Sequence, residues 1–353
     1  SPRDTRGRGR SGRRVSAHRI SGREGSRVTS KLAAHIRDRN RPLRHKPRTL
    51  IVTASRSMSG SEVRYDRATM SSAARSVSTT SARRSTGGTV EVDSFDDAVH
   101  CDGSVVIDGG DIILASADDG IRAVESVHVS GGDLRITDCY EGIESAIVTI
   151  EDGSVHVVAR DDGINIRGRL TYDEDTDREA MGRRLLEING GYLAIESGGD
   201  GVDANGRIVM TGGAAILSTS AHGDNAVDYI RSCTVDGGVL IAAGGLRRAQ
   251  SPGETSTQSS IMVNFPAALK PGTMFHLRTR SGDELLTFAP PRNYQSLVFS
   301  SPALQAGMEC VAYTGGTSTG TAVDGLYSGG QYTPGTEFTP FTVSGPVTLV
   351  RQP

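Results

Sequence analysis

The sequence predicts an all-β protein whose main part is a right-handed parallel β-helix. Three observations predict this fold: glycine pairs recur about every 22 residues, apolar and polar residues alternate around each pair, and acidic turns repeat with the same period. The chain has 44 glycines, no tryptophan and only 5% aromatic residues, so aliphatic side chains must form its core. Many short strands with glycine bends suit this composition better than long helices.

The first 86 residues are rich in arginine and serine. Residues 1–90 hold 22 Lys and Arg against 5 Asp and Glu, whereas residues 91–353 hold 17 against 36. Because Tyr65 is the only aromatic residue of 1–86, this segment lacks the apolar surface that would offset its ordering entropy. We expect a disordered segment, either an unstructured leader or a basic arm for an acidic polymer. Scattered arginines without interleaved aromatic residues argue against a nucleic-acid partner.

The solenoid prediction starts from the spacing of the glycine pairs. They begin at positions 87, 109, 131, 190, 212 and 237, and Asp152-Gly153 fills the same role. The steps are therefore 22, 22, 21, 38, 22 and 25 residues, and such a fixed period indicates stacked repeats. The long step indicates one repeat plus an acidic loop near 168–185. That loop either walls a binding groove or is a solvated excursion.

Apolar residues occupy fixed places around each glycine pair. Those before the pair are Val105, Ile107, Val127, Val129, Val148, Ile150, Leu186, Ile188, Ile208 and Met210, and those after it are Val90, Val92, Ile112, Leu114, Leu134, Ile136, Val155, Val157, Leu193, Ile195, Ala215 and Leu217. Period-2 alternation indicates strands with one buried face, and glycine permits the positive φ of a tight bend. Like residues at one period favour parallel rungs ~4.8 Å apart over an antiparallel meander.

Polar residues also fall into columns at the acidic turns. The ninth residue after each pair is Asp97, Asp119, Glu141, Asp162 or Asp200, the eighth is Asp96, Asp118, Tyr140, Asp161 or Gly199, and the twelfth is His100, Arg122, Glu144, Asn165 or Asp203. Carboxylates stacked ~4.8 Å apart repel by roughly 1 kcal/mol per pair in water and by ~3.5 kcal/mol at an effective dielectric of ~20. Protonation, splaying into solvent or a bound cation would relieve this repulsion.

We expect Ca²⁺ to relieve it, because this ion takes carboxylate, amide and backbone oxygens. The strongest predicted ligand cluster is Asp161, Asp162, Asn165, Asp200, Asp203 and Asn205, the second is Asp118, Asp119, Glu141 and Glu144, and Asp224, Asn225 and Asp228 join in the last rung. The alternative is simple turn formation, since Asp before Gly caps nearby backbone N–H groups. The GGxGxD pattern of the nonapeptide calcium β-roll occurs once, at 198–203, without the nine-residue repetition of a β-roll.

The rest of the chain divides into a polar linker and a C-terminal part. We expect domains at 1–86, 87–245 (the β-helix), 246–260 (the linker) and 261–353. Six β-like runs separated by PG, SGD and GG turns predict a small antiparallel β module or cap in the last of these. The four cysteines form no CxxC pair, which argues against a zinc ribbon or a thioredoxin-type site. No apolar run reaches the ~18 residues of a membrane span.

Several stretches of residues 87–350 resemble the bacterial carbohydrate-binding domain-containing proteins. They are GGDGVDANGRIVMTGG, DNAVDY, GGVLIAAGG, SPGETSTQSSI and TGGTSTGTAVDGLYSGGQYTPGTEF, and they follow one another in the order of that family. The resemblance implies an extracellular or surface-attached β-helix, akin in fold to pectate lyases, that binds acidic plant-type polysaccharide such as pectin. It also implies calcium ligands in the DDGIN, GDGVDANG and DNAVD turns.

Three functions remain open from the residues. The first is non-catalytic binding by a monomer, with Tyr140 and Tyr229 contacting sugar rings and with Arg160, Arg167 and Arg231 pairing with uronate carboxylates. The second is a calcium-dependent polysaccharide lyase, although residues 91–269 contain no lysine to act as base. Hydrolysis by two carboxylates stays possible, and the third function is a structural spacer or adhesin. We expect binding without cleavage, and the five sugar-contacting residues have an alternative as ordinary surface residues.

Overall fold

The computed structural model describes residues 49–52, 88–167, 183–221 and 225–351. Most of the loop predicted near 168–185, with its acidic residues, lies outside these ranges, and so does Asp224. Among the described residues, no helix is both long and apolar enough to cross a membrane.

The solenoid is built from short strands and three long ones that bend around its corners. Its strands are β1 (Thr49–Val52), β2 (Thr89–Ser94), β3 (Val99–Cys101), β4 (Ser104–Ser116), β5 (Ile121–Asp138), β6 (Ile143–Ala159), β7 (Ile164–Ile166), β8 (Leu185–Ile188), β9 (Tyr192–Ser197), β10 (Val202–Ala204), β11 (Arg207–Met210), β12 (Ala214–Thr219), β13 (Val227–Tyr229), β14 (Ser232–Val235) and β15 (Val239–Gly244).

These strands stack in three parallel ladders, so each rung of the solenoid has three sides. The first ladder runs through β1, β4, β5, β6, β8, β11 and β14. The second ladder runs through β2, β4, β5, β6, β9, β12 and β15. The third ladder runs through β3, β5, β6, β7, β10 and β13. The predicted parallel β-helix is confirmed.

The register of the ladders follows the apolar columns of the sequence. In the second ladder, Ile112 pairs with Leu134, and Leu134 pairs with Val155 on the next rung. These side chains are at most 1% exposed and point into the helix. Complete burial of one such side chain contributes roughly 1.5–3 kcal/mol. A shift of one rung by one residue would expose several of these side chains to water, so the register is strongly specified.

The glycine pairs supply the corner between the first and second ladders. Gly132 has a φ of +92°, and a Cβ atom there would lie 2.7 Å from the carbonyl oxygen of Gly110 on the preceding rung. A residue with a side chain would therefore meet both backbone strain and a clash. This double constraint explains why glycine returns at this corner with the period of the rung.

One strand of the solenoid was not predicted from the sequence. Strand β1 pairs in parallel with the start of β4 and extends the first ladder by one rung. It lies inside the basic segment and has no glycine pair, so the repeat pattern did not reveal it.

The C-terminal region contains the remaining strands. They are β16 (Ser260–Leu269), β17 (Phe275–Thr279), β18 (Glu284–Phe288), β19 (Tyr294–Ser300), β20 (Glu309–Thr314), β21 (Thr317–Ser318), β22 (Thr321–Val323), β23 (Leu326–Ser328), β24 (Tyr332–Thr333), β25 (Thr336–Thr342) and β26 (Val347–Arg351).

The C-terminal region is largely antiparallel, as predicted, but it is continuous with the solenoid. Strand β19 pairs antiparallel with both β15 and β16, and β26 pairs parallel with β16. A six-stranded antiparallel sheet in the order β22-β23-β18-β17-β20-β25 covers this extension. Its core side chains, Phe275 among them, pack with Ile216 and Ile241 from the outer face of the second ladder. The last rungs of that ladder are therefore buried on both faces.

The hairpin of β22 and β23 also reaches back to the solenoid. Its turn residue Asp324 has a φ of +49°. The hydroxyl of Tyr192 donates a hydrogen bond of 2.7 Å to Asp324 Oδ2, and His156 Nε2 lies 3.2 Å from the same oxygen. An ion pair of 2.9 Å between Arg292 and Glu196 adds a second link.

The polar linker at 246–260 covers the C-terminal end of the helix. The Gln250 side chain accepts a hydrogen bond of 2.7 Å from the amide of Tyr229, and its own amide group donates to the Tyr229 carbonyl. Ser256 Oγ accepts a bond of 3.1 Å from the amide of Val235. These side chains replace the backbone partners that a further rung would have supplied.

Candidate functional site

The acidic turns between the second and third ladders form two adjacent lines along the helix axis. We call these two lines together the acidic column. One line is Asp97, Asp119, Glu141, Asp162, Asp200 and Asn225, which belong to successive rungs that we number 1 to 6. The other line is His100, Arg122, Glu144, Asn165, Asp203 and Asp228, which are partners in the third ladder. The stacking of the polar columns predicted from the sequence is confirmed.

Part of the acidic column serves the backbone. Asp162 Oδ1 accepts a hydrogen bond of 2.8 Å from the amide of Asp200 on the next rung, and Asp97 Oδ1 accepts one of 3.3 Å from Asp119. Asp200 Oδ1 accepts likewise from the amide of Asn225. The turn-forming role, which the sequence left open as an alternative, is therefore present in the structure.

The N-terminal rungs contain their own counter-ions. On rung 1, His100 Nδ1 hydrogen-bonds Asp97. On rung 2, the guanidinium of Arg122 lies 3.2 Å from Asp119 Oδ2 and, through its other terminal nitrogen, 3.2 Å from Glu144 Oε1. One arginine thus connects carboxylates of two rungs. These cations relieve part of the repulsion that stacked acids impose.

Rungs 3 and 4 place two side-chain oxygens in the interior without a protein partner. Asn165 Nδ2 donates a hydrogen bond of 3.1 Å to Glu141 Oε1. The other oxygen of Glu141 and the side-chain oxygen of Asn165 are buried and accept no hydrogen bond. The two residues are only 7% and 5% exposed. An unpaired buried polar atom of this kind costs about 1–3 kcal/mol.

Burial and like charge raise the pKa values of the column. The pKa of Asp119 rises to about 7, mainly because of burial and then because of the charge of Asp97. The pKa of Glu141 rises to about 8, again through burial first and the charge of Asp119 second. On rung 5, burial and the neighbouring Asp228 raise the pKa of Asp203. The fold therefore favours the protonated acids unless a cation replaces the proton.

Two groups of carboxylates converge in the N-terminal half of the column. In each group the nearest oxygens of three residues lie within 4.8 Å of one another, and the groups are Asp119, Glu141 and Glu144, and Asp96, Asp97 and Asp118. The first group contains three predicted calcium ligands. In the second, Asp96 and Asp97 were not predicted as ligands, although both stand in the polar columns of the sequence.

The strongest predicted cluster lies on rungs 4 and 5, around Gly199. A Cβ atom at position 199 would lie 2.5 Å from Asp161 Oδ1 and 2.6 Å from Asp162 Oδ1. Two carboxylate oxygens therefore point at the same small space, which any side chain at 199 would fill. On rung 5, Asn205 Nδ2 donates to Asp203 Oδ2 at 3.4 Å.

The last rung contributes Asn225 and Asp228. The side-chain amide of Asn225 is 1% exposed, and neither its oxygen nor its nitrogen has a protein partner. Asp228 lies opposite Asp203 in the third ladder. The third predicted residue of this rung, Asp224, is outside the described part of the chain.

The five predicted sugar-contacting residues fall on two different corners. Tyr140 and Arg160 lie at the corner between the second and third ladders, beside the acidic column. Tyr140 is 46% exposed, whereas Arg160 donates hydrogen bonds of 3.0 and 2.8 Å to backbone carbonyls of the two preceding rungs. The other three lie near the far end of the third ladder: Arg167, Tyr229 and Arg231. There the hydroxyl of Tyr229 is bonded to the carbonyl of Ser251 in the polar linker.

Comparison with known proteins gives one match. The sequence model of a family described as carbohydrate-binding domain-containing protein matches residues 48–120 and 113–333. No curated protein and no solved structure matches the chain.

Proposed function

The chain belongs to the family of carbohydrate-binding domain-containing proteins, and on that premise we propose that it binds a polygalacturonate-like polysaccharide outside the cell, as a monomer and without cleaving it. In this proposal, calcium in the acidic column links the protein to carboxylates of the glycan. The observation that supports it most is the register of the ladders, which lines up carboxylate and amide oxygens on successive rungs.

The donor set of rungs 2 to 4 fits Ca²⁺. This ion takes 6–8 oxygen ligands from carboxylates, amides and backbone carbonyls. Asp119, Glu141 and Glu144 offer carboxylates within 4.8 Å of one another, and Asn165 adds an amide oxygen. A cation would satisfy the two buried oxygens that lack a protein partner. Its charge would also stabilise the ionised form of Glu141, which burial and the charge of Asp119 otherwise disfavour.

The space beside Gly199 fits a second ion. Two carboxylate oxygens, from Asp161 and Asp162, converge on it. Asp203 and Asn205, on rung 5, are the further oxygen donors that we propose for this ion.

On rungs 2 and 3, an ion bound by Asp119 and Glu144 would displace the guanidinium of Arg122 from these two carboxylates. On rung 1, His100 already hydrogen-bonds Asp97. We therefore place the ions from rung 2 towards the C-terminal end.

We propose a location outside the cell because weak calcium sites suit the calcium concentration there. Extracellular calcium modules work at dissociation constants of about 10⁻⁴–10⁻³ M, where sites need no complete protein cage. A half-open site leaves ligand positions for the carboxylate of a uronic acid. Such sharing of one ion would bind an acidic polymer to an acidic protein.

Retention on insoluble polygalacturonate tests the proposal. We expect retention in millimolar calcium, loss with a chelator, and recovery after calcium is restored. Glu141→Gln and Asp162→Asn should weaken both retention and the binding of calcium alone, measured by calorimetry. Asp111→Asn is the matched control, because Asp111 is an exposed acid on the outer face of the second ladder. Retention that a chelator leaves unchanged would exclude the calcium link.

The same preparation separates a binder from a lyase. Cleavage by β-elimination yields unsaturated products that absorb ultraviolet light. We expect no increase in absorbance when the protein, calcium and soluble polygalacturonate are incubated together. A progressive increase that scales with protein concentration would replace the binding proposal by the lyase alternative.

A further inference from the structure

One edge of the solenoid carries exposed aromatic groups and a fixed arginine at two neighbouring positions of its stacked turns. This edge is the outer side of the corner between the second and third ladders. We call it the rim and define it by Phe95 on rung 1, Asp118 on rung 2, Tyr140 on rung 3 and Arg160 on rung 4. Backbone hydrogen bonds of 2.8–2.9 Å connect Tyr140 to Asp118 and to Asp161, and one of 3.0 Å connects Arg160 to Cys139. Asp118 and Tyr140 therefore share one position of the stacked turns, and Phe95 and Arg160 lie at the position before it.

The aromatic groups of the rim lie open to solvent. Phe95 is 91% exposed, the highest value among the large apolar side chains of the described residues. Tyr140 is 46% exposed, and Val158 on the adjoining strand is 42% exposed. Covering these side chains with a ligand would be favourable, because it removes apolar surface from water.

Arg160 is held in place with donors to spare. Its Nε and one Nη donate to the carbonyls of Cys139 and Ala117, which lie on rungs 3 and 2. These bonds draw the side chain along the rim towards the N-terminal end. A guanidinium has five N–H donors, so three remain for a ligand, whose carboxylate would compete with Asp138, 3.7 Å from Nε. Because the side chain is already fixed, pairing with a carboxylate loses little conformational entropy.

We infer that the rim is the surface that contacts the glycan, with a uronic acid chain lying along the helix axis. Phe95 and Tyr140 act as platforms for sugar rings, and Arg160 pairs with a uronate carboxylate. This inference rests on the proposed function and assigns its ligand a position and a direction. Phe95 is a contact residue that the sequence patterns did not single out.

The rung spacing and the width of the rim favour this ligand. Phe95 and Tyr140 are two rungs apart, which is about 10 Å along the axis. One pyranose ring is close to one rung in length, so successive sugars would meet successive rungs. A protein partner needs about 800 Å² on each side, which a line of single side chains does not offer. A narrow glycan chain fits such a line.

Binding of defined galacturonate oligomers in calcium tests the inference. The rim variants are compared with two control variants off the rim. The rim variants are Phe95→Ala, Tyr140→Phe, Tyr140→Ala and Arg160→Gln. Ile230→Ala removes a 58% exposed apolar side chain elsewhere, and Arg135→Gln removes an arginine whose exposure, 55%, is close to the 54% of Arg160. Each variant is first checked for an unchanged melting temperature and for calcium binding in the absence of glycan.

The expected result is a loss confined to the rim. Phe95→Ala and Tyr140→Ala should each weaken glycan binding by about three- to tenfold, with Tyr140→Phe close to wild type. Arg160→Gln should weaken binding of the galacturonate but not of a neutral glucan of equal length. Calcium affinity should stay unchanged in Phe95→Ala and Arg160→Gln.

Three outcomes would overturn the inference, and they differ from one another. If wild type binds the oligomers but the rim variants bind equally well, the rim is wrong and the proposed function stands. If wild type binds no glycan, both fail. Oligomer length adds a test of direction: affinity should increase until the chain spans about four rungs. An affinity that no longer increases beyond a disaccharide would contradict a chain that lies along the axis.

Discussion

The buried acids of the acidic column should make the calcium-free protein less stable as pH rises. Glu141 has its pKa raised from 4.5 to about 8. A carboxyl group with a higher pKa in the folded state binds its proton more tightly there than in the unfolded chain. Its favourable contribution is complete below pH 4.5 and is lost as pH rises towards 8. Glu141→Gln keeps the shape of the side chain and removes this dependence.

The size of the effect follows from the change in pKa. One pKa unit corresponds to 1.36 kcal/mol, so this change corresponds to about 5 kcal/mol for an isolated group. Asp119 shares the same protonation equilibrium, and we therefore expect about 3–5 kcal/mol for Glu141. The side chain is only 7% exposed, so solvent screening takes little from this value. The variant should thus be more stable than wild type at pH 8.5 without calcium.

Urea unfolding with a chelator at pH 5 and pH 8.5 measures this prediction. The informative quantity is the difference in free energy of unfolding between Glu141→Gln and wild type at each pH. We expect a small difference at pH 5 and stabilisation of the variant by several kcal/mol at pH 8.5. Added calcium should stabilise wild type more than the variant and reverse the order. A variant less stable than wild type at pH 8.5 in chelator would refute the reasoning.

Three further predictions concern the scaffold. His276 is 4% exposed, and burial lowers its pKa to about 4. Its contribution to the free energy of unfolding is therefore complete above pH 6.5, and about 3 kcal/mol of it is lost by pH 4. His276→Gln should reduce this acid-side loss of stability in urea unfolding, and an unchanged loss would refute the prediction. Gly142→Ala places a Cβ 2.2 Å from a carbonyl oxygen of the next rung and should lower the melting temperature by several degrees. The control Gly345→Ala places its Cβ in open space and should leave the melting temperature unchanged. Equal melting temperatures of the two variants would contradict the clash. Gln250→Ala removes the side-chain partners of the Tyr229 backbone and should cost about 1–3 kcal/mol in urea unfolding, with faster amide exchange at Tyr229; unchanged exchange would argue against a capping role.

The solenoid was predictable because its two strongest constraints repeat. Glycine is needed wherever φ is positive and a carbonyl lies close by, as at Gly132. Aliphatic residues such as Leu134 are needed wherever a side chain points inwards. Each constraint returns once per rung, so their spacing predicts the register as well as the fold.

The stacking of the acidic column was predictable for the same reason, but its internal pairing was not. The sequence places His100 and Arg122 in the polar column, yet their action as counter-ions depends on side-chain reach. The hydrogen bond between Asn165 and Glu141, 24 residues apart, depends likewise on rotamers that no spacing encodes.

The contacts of the C-terminal region lie beyond sequence patterns altogether. Tyr192 and Asp324 are 132 residues apart, and neither has a local signal that identifies its partner. The capping action of Gln250 is hidden for a similar reason, because the linker composition indicates only a polar connection. Strand β1 was not predicted, because a single rung without a glycine pair shows no repeat in the sequence.

The shared corner glycines also determine how this molecule can change length. Because the backbone of rung 2 pairs in parallel only with the rungs before and after it, removal of residues 111–132 would join one glycine corner to the next and bring like columns back into line. Deletion of one residue inside a strand would instead reverse the direction of the side chains that follow it in that strand, so that buried residues would face solvent. Duplication or deletion of complete coils is thus a length variation that the architecture accepts at low cost, and it would lengthen or shorten the acidic column in equal steps.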